Sequence, residues 1–115
     1  MPIAKEVISQ LEVQAKAVRS DIVQMLTKAA SGHPGGSLSC ADLVVALYFH
    51  VMRHDPHRPA WSERDRFLMS KGHCAPTWYS VLARSGYFPV EWLEHLRKLN
   101  FPLQGHPDML KTTGV

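Results

Sequence analysis

The sequence predicts an α/β fold, mainly helical, in which one short strand feeds an active-site turn and then a helix. Three observations carry this expectation. Apolar residues between Ile3 and Ala30 recur at three- and four-residue spacing. The run Ala41 to Met52 is apolar on almost every side, and Phe67-Leu68-Met69 reads as a short buried strand closed by Ser70-Lys71-Gly72-His73.

The first segment needs little beyond its period. Val7, Leu11, Ala15, Val18, Ile22, Met25 or Leu26, and Ala29 lie on one face, so residues 3–30 form one long amphipathic helix. Glu12 precedes Lys16 by four residues, the favourable order, and Gly32 supplies the stop. The segment Ser31-Gly32-His33-Pro34-Gly35-Gly36-Ser37 then places one histidine among three glycines and a proline, a turn whose shape backbone constraints set. No lysine follows those glycines, so it is not a phosphate loop of the GxxxxGK[ST] type. Ser39 and Asp42 fit a capping box ahead of a core helix over 41–52.

Arg53 to Asp65, with Pro56 and Pro59 among its charges, reads as an irregular surface connection. His50, His54 and His57 are spaced almost like metal ligands, but His57 lies beyond Pro56 and no carboxylate or thiolate completes a set. The strand over 67–69 leads into Gly72, where backbone can approach a ligand closely. Pro76 then sits in the first turn of a helix over 76–85 that ends at Gly86. Free amides at such a start favour anions, and Lys71 and His73 stand beside them, so a phosphate or diphosphate is the plainest ligand. A last helix is expected over Val90 to Leu99, with Trp92, Leu93, Leu96 and Leu99 on one side, followed by the loop Phe101 to Asp108.

Composition bounds the function classes. The chain has 115 residues, enough for one small domain, and 45% hydrophobic with 20% charged residues argues against disorder. A net charge of +3 and a pI near 9.1 come from basic residues scattered among acids, which indicates no nucleic-acid surface and at most a mild preference for anionic ligands. Cys40 and Cys74 make no disulfide framework and match no zinc spacing, so a reducing, cytoplasmic setting is expected. Lys5 and Glu6 interrupt the N-terminal apolar residues, which excludes a signal peptide, and no run approaches the ~18 residues of a membrane span.

Three histidines share a pattern: His33, His73 and His106 each follow a glycine, and two are closed by Pro34 and Pro107. A histidine after glycine can be presented on a loop without a bulky neighbour, which suits proton transfer or hydrogen bonding to an oxygen-rich ligand. Three such pairs point to one shared site.

Ser31-Gly32-His33-Pro34-Gly35-Gly36, Arg64-Asp65-Arg66-Phe67, Ser70-Lys71-Gly72-His73 and Gly105-His106-Pro107 follow the order and spacing of the N-terminal region of transketolases, which the chain resembles almost throughout. The wording Gly35-Gly36-Ser37-Leu38 is similar to bacterial or archaeal members, including split forms with separate N- and C-terminal chains. The resemblance implies a thiamine diphosphate-binding fold with a central parallel sheet, to which residues 1–115 would contribute an N-terminal part with a short parallel strand and an incomplete sheet. It implies transfer of a two-carbon ketol unit between sugar phosphates, as in the pentose phosphate pathway, with a divalent cation, Mg2+ or Ca2+. It places His73, Lys71 and Gly72 at the cofactor diphosphate, and His33 and His106 at the donor ketose as catalytic residues.

The family's Gly-Asp-Gly metal segment has no counterpart here. Asp42, Asp65 and Asp108 are not flanked by glycines ahead of a helix, so no metal ligand is expected in the chain. The cofactor-activating glutamate and the acceptor-phosphate arginines are expected in a following part or a C-terminal subunit, in a homo- or hetero-oligomer. The isolated chain is therefore expected to be an inactive part of the enzyme. Two alternatives stand beside it: a piece of a 1-deoxyxylulose-5-phosphate synthase-like thiamine enzyme, and a non-catalytic helical module that binds a partner chain.

Overall fold

The long amphipathic repeat folds as one helix, α1, over Lys5–Ala29 in a computed structural model that describes residues 2–115. Its buried stripe is Ala15, Val18, Ile22, Met25 and Leu26, the three- and four-residue spacing of the sequence made physical. The stop differs from expectation. Ala30, not Gly32, takes the left-handed cap at φ 56°, its N–H bonding to the Thr27 carbonyl. Gly32, at φ 127°, is required for another reason, since a Cβ there would overlap the Leu26 side chain.

The glycine-rich segment, expected as a turn, is helical from Pro34. Helix α2 spans Pro34–Ser39, with Pro34 in the first turn where its missing N–H costs nothing. The expected capping box does not form, because both of its side chains are engaged elsewhere. Ser39 Oγ donates to the Gly36 carbonyl at 2.8 Å, and Asp42 pairs with Arg19 of α1 at 2.5 Å. Helix α3 covers Ala41–Ala46 and widens into a π-helical turn over Leu47–Val51, so the single helix expected over 41–52 has a bulged second half. Ala41, Val44, Val45 and Tyr48 are buried, whereas Leu43 and Val51 are exposed.

The connection that follows is folded back on the core. Arg53 and Asp65 exchange hydrogen bonds at 2.7 Å, from Asp65 N–H to the Arg53 carbonyl and from Arg53 N–H to Asp65 Oδ2. His54 is held between the Tyr87 hydroxyl and the Tyr48 carbonyl. Its ring stacks on Tyr87 at 5.7 Å, which gives it a packing role.

The expected strand over 67–69 is not formed, and no strand or sheet occurs among the described residues. Alternation survives without the ladder. Phe67 packs edge-on against Trp78 and Tyr48, at 5.1 and 5.8 Å between ring centroids, while Leu68 points away at 90% exposure. A strand needs a neighbour to accept its amides, and among the described residues no backbone hydrogen bond pairs 67–69 with another segment.

A 3-10 turn over Gly72–Cys74 runs directly into α4, Ala75–Ser85, which is buried from Ala75 to Ala83 and is the central element. Gly86 ends it at φ 104°, as the sequence predicts. Helix α4 packs against α1 and α3. One buried polar contact joins it to α1: Asp21 accepts from Arg84 Nε and Nη2 at 2.8 and 2.7 Å and from Ser80 Oγ at 2.8 Å.

The last predicted helix is a shorter 3-10 element, Val90–His95. Leu93 and Leu96 are both buried, a three-residue spacing that 3-10 geometry stacks on one side. Beyond it Arg97 adopts φ 62° and Asn100 φ 61°, and Arg97 N–H bonds to the Leu103 carbonyl at 2.8 Å. The chain thus turns back, and Leu99, placed on the buried face by periodicity, is 92% exposed.

Candidate functional site

The three glycine–histidine pairs meet at the start of α4. The 3-10 turn carries His73 at the head of a continuous helical segment, where the first amides have no preceding carbonyls to bond. The rings of His33 and His73 stand edge to face with centroids 5.3 Å apart. His106 reaches the same turn from the C-terminal loop and lies so close over Gly72 that any Cβ there would overlap its imidazole. The close neighbour of Gly72 in the structure is the His106 ring.

A groove of about 650 Å³ opens beside this cluster, lined by Phe67, Met69, Gly72, His73, Trp78 and His106 among others. All three imidazoles are exposed. His33 and Lys71 lie outside the lining, with Lys71 exposed at the N-terminal edge of the turn and its carbonyl accepting from Cys74 N–H at 2.9 Å. The five residues singled out by sequence, His33, Lys71, Gly72, His73 and His106, are thus assembled around one turn from three separate loops.

Sequence reasoning missed the floor under that turn. Gly36 packs so tightly that a Cβ would sit 2.9 Å from Cys74 Sγ and 3.3 Å from His73 Nε2. Thr77 Oγ1 donates to the Ser37 carbonyl at 2.5 Å, and Cys40 Sγ lies 3.7 Å from Thr77 Oγ1. Ser37 Oγ is fully buried without a partner. The signal was the density of small residues at 35–40 and 72–77, which close approach of two segments requires and which a loop reading also explains. Burial pushes the Cys74 thiol up, so it stays protonated near neutrality and is no nucleophile for the groove.

Chemically, the arrangement offers imidazole donors and acceptors, helix-start amides and one ammonium to an anionic, hydroxyl-rich ligand. The exposed His73 and Lys71 at a helix start fit the diphosphate of the cofactor implied by resemblance. Among the described residues no three His, Cys, Asp or Glu side chains are grouped to hold an ion. No described helix is long and apolar enough to cross a membrane.

Residues 10–115 match the family described as transketolase, thiamine diphosphate binding domain. The chain is 45% identical over 105 residues to the 6-deoxy-6-sulfo-D-fructose transketolase subunit SqwG of a Clostridium species, covering 91% of this chain and 38% of that protein. It is 39% identical over 102 residues to transketolase 1 of Escherichia coli, covering 88% of this chain and 15% of the other. Among solved structures, transketolase from Leishmania mexicana superposes with a TM-score of 0.87 at 32% identity, over 91% of this chain and 16% of that one. The chain thus spans less than two fifths of the length of these relatives.

Proposed function

From the premise that the chain belongs to the transketolase thiamine diphosphate-binding domain family, we propose that it forms part of the cofactor-binding half of an enzyme that moves a two-carbon ketol unit between sugar phosphates. The observation that carries this reading is the convergence of His33, His73 and His106 on one helix start beside an open groove. When bound, thiamine diphosphate supplies the carbanion chemistry through its thiazolium ring.

The chain's own residues would do the rest of the local work. His73 donates to the cofactor's diphosphate from the head of α4, and Lys71 adds a positive charge at the same edge. Gly72 leaves the space that lets His106 reach the turn. His33 and His106 hydrogen-bond the hydroxyls of the donor sugar and move protons near neutral pH, a task for which imidazole is the suited side chain.

The remaining parts would come from elsewhere. Relatives that span far more sequence, one of them named as a subunit, support a reading in which the rest of the enzyme, or a partner subunit, supplies the missing groups. Those groups include the ligands for Mg2+ or Ca2+, the acceptor-phosphate site and the remainder of a sheet into which residues 67–69 would pair. A cytoplasmic setting and an oligomeric assembly belong to the same proposal.

Histidine-selective NMR of the 115-residue chain titrated with millimolar inorganic pyrophosphate tests the site. The His73 imidazole should shift first and His106 next, and His73→Asn should abolish saturation. Shifts confined to His50, His54 or His57 would refute the assignment. Activity is tested separately in the full-length or two-chain protein, with a xylulose 5-phosphate donor assayed against pyruvate. Ketol transfer from the former supports the proposal, and turnover of pyruvate alone overturns it in favour of a 1-deoxyxylulose-5-phosphate synthase-like enzyme.

A further inference from the structure

A second open groove, of about 560 Å³, borders the loop that carries His106, and nothing in the proposed chemistry uses it. Arg97, Lys98, Asn100, Phe101, Gln104 and Lys111 line it with two neighbours, and no carboxylate is among them. The three cations are exposed, and among the described residues none of them is ion-paired. The carboxylates next to them in sequence are engaged elsewhere, Glu94 with Lys28 at 3.3 Å and Asp108 with the Leu110 N–H at 2.9 Å.

Folding gathers these cations from two segments. Arg97, left-handed at φ 62°, donates its N–H to the Leu103 carbonyl at 2.8 Å, which turns the chain back. Phe101 N–H bonds to the Lys98 carbonyl at 3.2 Å, closing a turn whose third position is the left-handed Asn100, a conformation asparagine tolerates. The N–H groups of Leu99 and Asn100, at the tip of that turn, have no acceptor among the described residues. Thr112 Oγ1 donates to the Pro102 carbonyl at 2.7 Å, and this tie brings the adjoining Lys111 to the groove. The Arg97 guanidinium is also held in place. A Cβ on Gly105 would sit 3.2 Å from its Cζ, so the guanidinium packs on the backbone one residue before His106.

We propose that this groove binds the phosphate group of a small phosphate monoester, with the Arg97 guanidinium, the Lys98 and Lys111 ammonium groups and the turn amides as its donors. Arginine presents a planar fork to two phosphate oxygens, and the lysines add point charges. The volume lies within the ~300–1,000 Å³ of small-ligand sites. A nucleotide base finds no free ring to stack on. Phe101, the one aromatic side chain in the lining, is edge-on to Trp92 at 5.6 Å and tilted against His95 at 4.8 Å. Three cations also fall short of the ~6–10 phosphate contacts of a strongly salt-dependent duplex binder. The ligand is therefore a phosphorylated carbohydrate or free phosphate, and its site does not depend on what the histidine turn holds.

The test titrates the 15N-labelled chain with sodium phosphate at constant ionic strength, with sodium chloride as the control. The Leu99 and Asn100 amides and the Arg97 Nε–H resonance should shift and saturate, and R97Q/K98Q/K111Q should abolish the response. K98Q/K111Q, which keeps Arg97 on Gly105, should weaken binding about 4- to 25-fold, at roughly 2- to 5-fold for each exposed charge. The triple variant should keep the His73 response to pyrophosphate, and His73→Asn should keep the groove response to phosphate, so failure of either assignment is seen apart from the other. A lower midpoint for ribose 5-phosphate than for phosphate, with ribose inert, assigns the groove to a sugar phosphate; equal midpoints assign it to free phosphate. In the full-length or two-chain protein, K98Q/K111Q should narrow the 31P line that phosphate broadens on binding. Shifts reproduced by chloride, a K98Q/K111Q variant that binds like wild type, or equal 31P widths in the two proteins would each overturn the proposal.

Discussion

Replacing Asp21 by alanine should cost this chain about 2–4 kcal/mol, because the carboxylate accepts from three donors at the joint between α1 and α4. Two of its hydrogen bonds come from the Arg84 guanidinium and one from Ser80. The Asp21 side chain is 9% exposed and that of Arg84 34%. A fully buried pair broken on one side costs about 3–5 kcal/mol. Arg84, a third exposed, recovers part of that from water, whereas Ser80, fully buried, strands a hydroxyl at roughly 1–3 kcal/mol. The contact also holds the Arg84 pKa above its ordinary value, chiefly through the hydrogen bond to Asp21. Urea unfolding followed by tryptophan fluorescence reads the cost as a midpoint lower by about 1–2 M at a typical slope for a small domain. The companion double substitution D21L/R84M removes both charges and should recover part of the loss. A D21A midpoint within about 0.3 M of wild type would refute the reasoning, as would a double variant less stable than D21A.

Two further outcomes follow from the core and from the turn. Burial pushes the Tyr48 and Tyr79 hydroxyls up to about 12 from an ordinary 10.0. The fold therefore favours their protonated form, so their contribution is complete below pH ~10 and is lost as pH rises through 10 to 12. Each tyrosine should account for on the order of 2–3 kcal/mol over that window, and Tyr79→Phe should flatten the alkaline decline measured by urea midpoints at pH 9 and 11.5. At the site, Gly72→Ala places a methyl where the His106 ring sits, so the His106 imidazole resonance should move while far-UV circular dichroism stays constant. An unmoved His106 signal would show that the contact is not made.

The three glycine–histidine pairs were more legible than the fold around them. Glycine followed by histidine is a local signature, and the three pairs carry it wherever the chain goes. Their meeting is a tertiary event, visible in the 5.3 Å His33–His73 contact and in His106 over Gly72. Periodicity located α1, because a long helix with one buried face repeats the same constraint many times, whereas Pro76 and Gly86 marked the ends of α4. It failed over residues 90–99, where burial of Leu93 and Leu96 is met by a 3-10 element and Arg97 then turns left-handed. It also failed over 34–39, where glycines usually found in loops serve close helix packing.

What the sequence by itself determined is what repeats or stays local: the amphipathic stripe of α1, the left-handed stop at Gly86 and the presentation of each histidine after a glycine. Tertiary structure alone decided which of those histidines share a turn, that Phe67 packs inward while its neighbours stay unpaired, and that Arg97, Lys98 and Lys111 line one groove. The physical reason is range. Helical period and glycine's freedom act over a few residues, whereas ladder partners and side-chain contacts come from segments tens of residues away.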